Sequence, residues 1–263
     1  MRRTLAGAVA IAAALALATG CDRDGSEQAA APSAVPSSSA PSATPSPSAS
    51  ASTPSTPSAP SKPAAPKMLR PGAKGAAVKD LQERLTALGY WNGKADGKFG
   101  SVTRQAVFAL QKAARLGRDG VVGPKTRKAL DRGVRPTAKS SSGRVVEINL
   151  RRQLLLLVEN GQVRTILNTA TGSNQYYEYK GERYLAVTPR GRYRAYRQIN
   201  GWRHGPLGPL WRPKYFNGGI AVHGAFSVPP YPASHGCARV SIAAMNWIWA
   251  NNKMPLKTRV WVY

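Results

Sequence analysis

The sequence predicts an α+β multidomain protein, in which a small three-helix domain is followed by a mostly-β, sandwich-like domain. Three observations lead to this prediction. Residues 1–67 lack the composition of a folded core, residues 68–134 carry helical periodicity around two repeated turns, and residues 144–263 are rich in β-branched and aromatic runs. The 263-residue chain therefore has room for two folded domains behind a long N-terminal segment.

The first twenty residues form the first element. Arg2 and Arg3 precede an apolar run from Leu5 to Ala18, and small residues precede Cys21. This pattern predicts a signal peptide over residues 1–20, because the apolar run is too short for a comfortable membrane span. The ending Ala-Thr-Gly-Cys resembles a bacterial lipoprotein signal. The resemblance implies lipidation of Cys21 and anchoring to the outer face of the cytoplasmic membrane, within the cell wall. An ordinary cleavage site with Cys21 incidental is the alternative.

Residues 21–67 consist almost entirely of Ala, Ser, Pro and Thr, which predicts a disordered linker. The charge lies beyond it: residues 69–135 hold 15 basic and 5 acidic side chains, and residues 144–263 hold 17 and 4. Such a field favours polyanionic surroundings, either anionic lipid or acidic wall polymers. Export argues against nucleic acid as a partner, and we expect a monomer.

The small domain contains a short internal repeat. The run Asp96-Gly97-Lys-Phe-Gly-Ser-Val-Thr103 returns as Asp119-Gly120-Val-Val-Gly-Pro-Lys-Thr126, and each copy is a glycine turn followed by an amphipathic stretch. Upstream, Val78, Leu81, Leu85 and Leu88 have helical spacing. Together these features predict three short helices within residues 68–134.

With the Leu81-Gln82 pair, Leu88-Gly89-Tyr90 and both Asp-Gly turns, this segment resembles the peptidoglycan-binding domain type 1 family along its length. It departs from the family at Ala109-Leu110-Gln111, where Phe-Gln is usual. The resemblance implies affinity for wall glycan or stem peptides, and a role as a spacer is the alternative.

The last 120 residues read mainly as strands. Two β-rich runs flank Asn160-Gly161, a hairpin signal, and the closing TRVWVY adds a strand. One helix is predicted over residues 242–250, with Ser241 as its N-cap. The domain boundaries expected from this pattern are 144 and 263.

Cys237 is the chemically distinctive residue of this domain. A cysteine nucleophile needs a nearby base and donors for an oxyanion, and His223 and His235 both lie within fourteen residues of it. The N–H groups of Gly236 and Cys237 are candidate oxyanion donors. Residues 144–263 contain no aspartate, so the histidine must be oriented by a backbone carbonyl or an amide such as Asn217. A disulfide, a buried apolar cysteine and a His223/His235/Cys237 zinc site are the alternatives.

The segments Ile220-Ala-Val-His223-Gly224 and Ser234-His-Gly-Cys-Ala-Arg239 resemble the catalytic domain of the L,D-transpeptidase (YkuD-type) family, and the segment from Thr188 to Tyr193 supports this. The resemblance implies that Cys237 is the nucleophile, His223 the general base and the carbonyl of Gly224 the group that orients it. Only ten residues separate His223 from Ser234, a short spacing that makes the loop 225–233 hard to predict.

The remaining expectations concern the cleft. We expect His235 to lie on its oxyanion side, Arg239 to hold a substrate carboxylate, and His204 to be a loop residue without a catalytic role. Aromatic residues nearby are either cleft or core. The expected substrate-binding residues are Arg239, Ser234, Tyr215 and Trp211, with Phe216 as a further aromatic candidate.

The resemblance implies an enzyme that forms 3→3 peptidoglycan cross-links through a cysteine acyl-enzyme and releases D-Ala from tetrapeptide stems. No metal or organic cofactor is expected. Water as acceptor would make an L,D-carboxypeptidase, and a protein amine would make a protein-to-peptidoglycan anchoring enzyme. A non-catalytic wall-binding lipoprotein is the alternative outside the enzyme class.

Overall fold

The computed structural model describes residues 68–263. The expected signal peptide, the lipidated Cys21 and the linker 21–67 lie outside the described residues. The described residues belong to one compact unit, and none of their helices is both long and apolar enough to cross a membrane.

The N-terminal part of this unit is helical. Apolar residues of the first helix, Val78, Leu81 and Leu85, are buried together with Val107 and Leu110 of the second. The helices are α1 (Ala76–Ala87), α2 (Ser101–Ala113) and α3 (Pro124–Asp131).

The two copies of the internal repeat form two equivalent hydrogen-bonded turns. Gln82 donates from Nε2 to Asp96 Oδ1 at 2.9 Å and to Thr103 Oγ1 at 2.9 Å, and its Oε1 accepts from the N–H of Gly97 at 2.9 Å. The buried amide thus joins α1, the turn and the start of α2. Because every polar atom of the amide is bonded, its burial costs little.

In the second copy Gln111 takes the same part. Its Nε2 donates to Asp119 Oδ1 and Thr126 Oγ1, and its Oε1 accepts from Gly120 N–H at 3.0 Å. Gly120 has φ +74°, and a Cβ there would lie 2.9 Å from the Phe108 ring. The repeated Asp-Gly pairs are therefore required both by turn geometry and by a glutamine that fixes each turn.

The remainder of the chain is mostly β. One five-stranded sheet has the order β3-β2-β1-β12-β6, a second has β11-β10-β9-β7 with β8 paired to β9, and β4 pairs with β5. The strands and the last helix are β1 (Arg144–Asn149), β2 (Leu154–Glu159), β3 (Gln162–Asn168), β4 (Tyr176–Tyr179), β5 (Glu182–Leu185), β6 (Gly191–Arg194), β7 (Arg197–Gln198), β8 (Trp202–Gly205), β9 (Gly208–Asn217), β10 (Ile220–Ala225), β11 (Ala238–Ser241), α4 (Ile242–Ala250) and β12 (Arg259–Val262).

Strand β2 shows how the helical part and the sheets share a core. Its residues 154–158 are all buried, although alternate residues of a strand face opposite ways. Leu154 and Leu156 pack with the helical part, and Leu155 and Leu157 pack with the second sheet and α4. The uninterrupted LLLLV run is thus a strand covered on both faces.

Two local predictions are confirmed. Strands β2 and β3 form an antiparallel hairpin, in which Asn160 and Gly161 both have positive φ, at +48° and +77°. Helix α4 begins after Ser241, whose side chain accepts a hydrogen bond from Ala244 N–H at 3.2 Å.

A buried lysine joins α2 to the sheet that contains β2 and β3. Lys112 is 2% exposed, and its Nζ donates to Gln153 O at 2.9 Å, Thr169 O at 3.0 Å and Asn168 Oδ1. Burial, with a smaller contribution from the like charge of Arg118, lowers the pKa of Lys112 to about 6. The surrounding acceptors satisfy the N–H donors of Nζ, which offsets the cost of burying this polar group.

Candidate active site

Two parallel neighbouring strands bring the predicted catalytic residues together. Strands β10 and β11 pair in parallel, with His223 opposite Arg239. Cys237 directly precedes β11, so the thiol lies at the start of the strand next to the one that carries the histidine. Residues fourteen apart in sequence thereby line one cavity.

The His223 side chain is buried and has a defined tautomer. Its Nδ1 lies 2.9 Å from the carbonyl oxygen of Gly224, so Nδ1 carries the proton and Nε2 is left as an acceptor. Burial lowers the pKa of His223 to about 4, and this outweighs the hydrogen bond to Gly224, which favours the protonated ring. The imidazole is therefore neutral at neutral pH.

Gly224 also has a packing requirement. A Cβ at this position would lie 2.9 Å from Cδ1 of Trp211 and 3.1 Å from Cβ of Met245. The strand passes close to β9 and α4 at this point, so only glycine fits. The close packing fixes the carbonyl that holds His223.

The Cys237 thiol is half-buried and lies against the strand β10 backbone. Its Sγ accepts from Ala221 N–H at 3.4 Å and lies 3.8 Å from Gly219 O. Burial raises the pKa of Cys237, although the Ala221 N–H and the positive charge of Arg239 act in the opposite direction. The resting thiol is therefore protonated, in a cavity that the neutral His223 also lines.

Ser234 organises the turn that carries the cysteine. Its Oγ accepts from Gly236 N–H at 3.0 Å and donates to Cys237 O at 2.6 Å. The Gly236 carbonyl in turn accepts from Thr188 Oγ1 at 2.6 Å. Gly236 has φ +146°, and a Cβ there would lie 2.9 Å from Val187 O.

These contacts correct two sequence expectations. The Gly236 N–H, expected to bind an oxyanion, already donates to Ser234 Oγ. The hydroxyl of Ser234, expected to bind substrate, is buried, donates its single proton to Cys237 O and accepts from Gly236 N–H within the turn. The backbone N–H of Cys237 remains as the candidate oxyanion donor of the two that the sequence indicated.

The cavity around Cys237 has a volume of about 760 Å³. It contains most of the predicted site residues, and the guanidinium of Arg239 has no hydrogen-bonding or ion-pair partner among residues 68–263. His235 lies at the rim, with its ring edge-on to Tyr177 at 4.6 Å. The predicted residues that line the cavity are Cys237, His223, Ser234, His235, Gly236, Tyr215 and Arg239.

Other predicted residues lie elsewhere. Trp211, expected in the cleft, does not line the cavity, because its Nε1 donates to Asn246 Oδ1 of α4 at 2.7 Å. Phe216 is 3% exposed and belongs to the core. His204 lies in strand β8 rather than in a loop, stacked on Trp202. Asn217 ends β9, and the His223 ring contacts the Gly224 carbonyl instead.

The sequence analysis missed the two hairpins that border the cavity. Tyr177 of β4 lines one side, and Leu207, in the turn between β8 and β9, lines another. Phe226 is 81% exposed and stacks on Trp202 at 5.2 Å, which extends the apolar rim. In the sequence, Tyr177 and Phe226 could have been noticed as aromatic residues that fit no core periodicity.

The helical part supports the loop between His223 and Cys237. Gln105 of α2 donates to Val228 O at 3.1 Å and accepts from Asn168 Nδ2 at 2.5 Å, while Asn168 also donates to Val228 O at 3.2 Å. Arg118 donates to Pro230 O at 2.9 Å. The loop that the sequence could not predict is thus held by residues that lie 60 to 123 positions earlier in the chain.

Among residues 68–263, no group of three or more His, Cys, Asp or Glu side chains is arranged to hold a metal ion. His223, His235 and Cys237 line one cavity, but His223 Nδ1 is committed to Gly224 O. The expected zinc alternative therefore has no ligand set in the described residues.

Comparison with known proteins agrees with the two parts of the fold. Residues 74–130 match a putative peptidoglycan binding domain, and residues 143–262 match the L,D-transpeptidase catalytic domain named YkuD. A crystal structure of an L,D-transpeptidase from Xylanimonas cellulosilytica is 55% identical. That match covers 77% of this chain and 100% of that one, with a TM-score of 0.74.

Curated relatives match over shorter regions. A probable N-acetylmuramoyl-L-alanine amidase from Bacillus licheniformis is 36% identical over 116 residues, which are 43% of this chain and 32% of the relative. The amidase CwlL of the same organism is 39% identical over 114 residues, which are 42% of this chain and 30% of the relative. The chain thus spans about a third of the length of these relatives.

The 55% identity to a solved L,D-transpeptidase covered in full, the YkuD match over residues 143–262 and the His223–Gly224 geometry agree with one another. The chain belongs to the L,D-transpeptidase family with a YkuD-type catalytic domain.

Proposed function

We propose that this protein forms 3→3 cross-links between peptidoglycan stems, with Cys237 as nucleophile and His223 as general base. The observation that carries the proposal is the 2.9 Å contact of His223 Nδ1 with Gly224 O, in the cavity that also holds Cys237. This contact leaves Nε2 free to accept a proton, and no acidic side chain lines the cavity.

Acylation is the first half of the reaction. The Cys237 sulfur attacks the carbonyl carbon of the third stem residue as its proton passes to His223 Nε2. The oxyanion forms beside the Cys237 N–H, the carbon–nitrogen bond to D-Ala breaks, and His223 returns the proton to the departing amine. Both groups start neutral, since burial raises the pKa of Cys237 and lowers that of His223.

Transfer to the acceptor is the second half. The side-chain amine of another stem attacks the thioester carbonyl and loses its proton to His223. The carbon–sulfur bond breaks, and the proton returns to Cys237. Leu207 and Phe226 form an apolar rim on which the acceptor stem would pack, and we propose that the bound stem excludes water from the thioester and so favours the amine over hydrolysis.

Arg239 is the proposed carboxylate ligand. Its guanidinium lines the cavity without a protein partner, and the departing D-Ala of a tetrapeptide stem carries a free carboxylate. His235 and Tyr215 are the proposed side walls of the substrate cleft. No cofactor takes part in this proposal.

The helical part is the proposed wall-binding module. It carries a cavity of about 480 Å³, lined by Trp91 and Asn92 among others, and Asn92 Oδ1 is a buried acceptor without a partner in residues 68–263. A sugar hydroxyl or peptide N–H would satisfy it. We propose that the mature protein acts in the cell wall as a monomer, tethered to the membrane through a lipid at Cys21.

The nucleophile is tested by intact-mass analysis after incubation with a carbapenem. The wild-type chain is expected to gain one covalent adduct, and Cys237→Ala to gain none, because the thioester needs the sulfur. His223→Gln is expected to slow adduct formation by about 10²-fold or more, since the base is lost.

Cys237→Ser is the matched control, because it preserves the volume of the side chain while replacing the sulfur. An adduct that persists in Cys237→Ala, or a wild-type chain that gains none, would falsify the assignment of Cys237 and would favour a non-catalytic wall-binding protein.

A further inference from the structure

Two adjoining cavities contain a concentration of positive charge. One, of about 520 Å³, lies between the C-terminal end of α2 and the turn from β1 to β2. The other, of about 600 Å³, lies along β6 and β12. Lys139 lines both, so the two cavities adjoin at this residue, and together we call them the basic groove. Neither shares a residue with the cavity that holds Cys237.

The lining of this groove is rich in basic residues and contains no acidic ones. Seven of the ten residues around the first cavity are Lys or Arg, and neither cavity is lined by Asp or Glu. The basic residues that face the first cavity, besides the buried Lys112, are Arg115, Arg118, Lys139, Arg151, Arg152 and Arg190. The second adds Arg192, Arg194 and Arg259.

These charges are not neutralised by ion pairs. The salt bridges within residues 68–263 use other cations, namely Lys79, Arg144 and Arg164. Buried Glu147, beneath Lys139, is already bonded to the N–H groups of Lys139 and Ser140 and to the Tyr263 hydroxyl. So many unpaired guanidinium groups around one groove repel each other and are stabilised when an anion binds.

Several of the cations are pre-oriented by the backbone. Arg118 is held by Pro230 O, Arg152 by Ala113 O and Arg259 by Ser142 O, and each keeps further N–H donors for a ligand. Exposed Arg115 and Arg151 have no side-chain partner within the described residues. A guanidinium fork matches phosphate oxygens in geometry as well as in charge.

The aromatic rings beside the groove narrow the choice of polyanion. Lys139 Nζ lies 4.3 Å from the centroid of the Tyr263 ring, and the Arg192 guanidinium lies 4.4 Å from that of Trp261. Both rings are therefore covered by cations and are not bare platforms for stacking nucleotide bases. A concave groove also suits a single chain better than the surface of a membrane.

We infer that this groove, lined by Lys139 and the surrounding arginines, binds a linear phosphodiester polymer of the cell wall, such as a chain of glycerol phosphate units. Regularly spaced phosphates would contact successive guanidinium groups from Arg115 across Lys139 to Arg192. This binding goes beyond the proposed cross-linking reaction. It would hold the catalytic domain beside anionic polymer independently of the peptidoglycan-binding part.

The test is titration of the full chain with fluorescent synthetic oligo(glycerol phosphate). The variant Arg115→Gln/Arg151→Gln/Arg192→Gln spans both cavities and is expected to raise the Kd by about tenfold or more and to weaken the salt dependence. The control Arg70→Gln/Lys125→Gln/Arg132→Gln removes the same charge from exposed positions outside the groove and is expected to change the Kd less than about threefold. Both variants should still gain the carbapenem adduct, which reports a folded catalytic site.

Equal losses of affinity in the two variants would overturn the inference, because net charge alone would then explain binding. A single-stranded oligonucleotide or anionic phosphatidylglycerol vesicles that bound more tightly than the oligo(glycerol phosphate) would also overturn it. If the triple variant failed to gain the adduct, the titration would be repeated with Arg151→Gln alone, which changes a single residue in an exposed turn. Unchanged affinity in that variant would count against the groove.

Discussion

At the residue scale, the chemistry of this site depends on how two neutral groups are held. His223 is buried, and Gly224 O fixes the proton on its Nδ1. The absence of aspartate from the domain predicted a backbone carbonyl or an amide in this role, and the family resemblance implied the carbonyl of Gly224. The sequence could not predict that Ser234 Oγ would accept a hydrogen bond from Gly236 N–H, because sequence alone does not tell which backbone donors are bonded within a short turn.

The pH dependence of adduct formation follows from His223. Because burial lowers the pKa of His223 from 6.5 to about 4, the base form persists as the solution becomes acidic. The rate of carbapenem adduct formation is expected to stay near its neutral value at pH 5 and to fall through about pH 4. Stopped-flow rates across this range check it. An acid limb centred near 6.5 would show that the ring is accessible to solvent.

The same shift bears on stability. The folded pKa of His223 is lower than its value of 6.5 in an unfolded chain, so the unfolded state binds the proton first. The stability present above pH 6.5 is therefore expected to decrease as the pH falls towards about 4. The variant His223→Gln should show a smaller decrease in melting temperature over this interval, and an equal decrease would remove His223 as the cause.

Ser234 is expected to matter for structure as well as for rate. Ser234→Ala removes the hydrogen-bond acceptor of the Gly236 N–H and the side-chain donor to Cys237 O. The free energy of unfolding should therefore fall by about 1–3 kcal/mol. Chemical denaturation measures this value. Ser227→Ala, in the same cavity wall but without such bonds, is the control, and equal stability of the two variants would contradict the assigned contacts.

At the element scale, the sequence predicted those elements that have a clear hydrophobic periodicity or a recognisable turn or cap. The Asn160-Gly161 hairpin and helix α4 could be read from sequence, because each rests on local signals. The loop 225–233 could not, because its support comes from Gln105, Asn168 and Arg118, which only tertiary folding brings to it. Strand β2 was predicted as a strand, but its burial on both faces required knowing that the helical part covers the sheet.

The support of this loop by α2 gives a prediction about Gln105. Gln105→Met keeps the volume of the side chain but removes its bonds to Val228 O and Asn168 Nδ2. We expect slower carbapenem adduct formation, by about three- to tenfold, with a change of less than about 1 kcal/mol in the free energy of unfolding. Rate and stability measured on the same samples separate the two effects.

Gln162→Met is the matched control. Gln162 is an exposed glutamine at the start of β3, whereas Asn168, the partner of Gln105, ends that strand. Restored rate in Gln105→Glu, which keeps the acceptor for Asn168, would locate the effect in the Asn168 contact. A Gln105→Met variant with the wild-type rate would show that the loop holds its shape without α2.

At the scale of the whole molecule, the helical part and the sheets should unfold together. They share apolar residues on one face of β2 and are joined by buried Lys112. Scanning calorimetry of residues 68–263 is expected to show one transition with equal calorimetric and van't Hoff enthalpies. Two separate transitions would mean that the parts are independent domains, as their separate sequence patterns alone would suggest.

The central claim is that Cys237 transfers a stem acyl group to an amine, and product analysis tests it most directly. The chain is incubated with a disaccharide-tetrapeptide, and the products are separated and sequenced by mass spectrometry. Free D-Ala and a 3→3 linked dimer are the expected products, and both should be absent with Cys237→Ala. Release of D-Ala with only tripeptide would indicate water as the acceptor and contradict the cross-linking claim, and no release of D-Ala would contradict the acyl-enzyme itself.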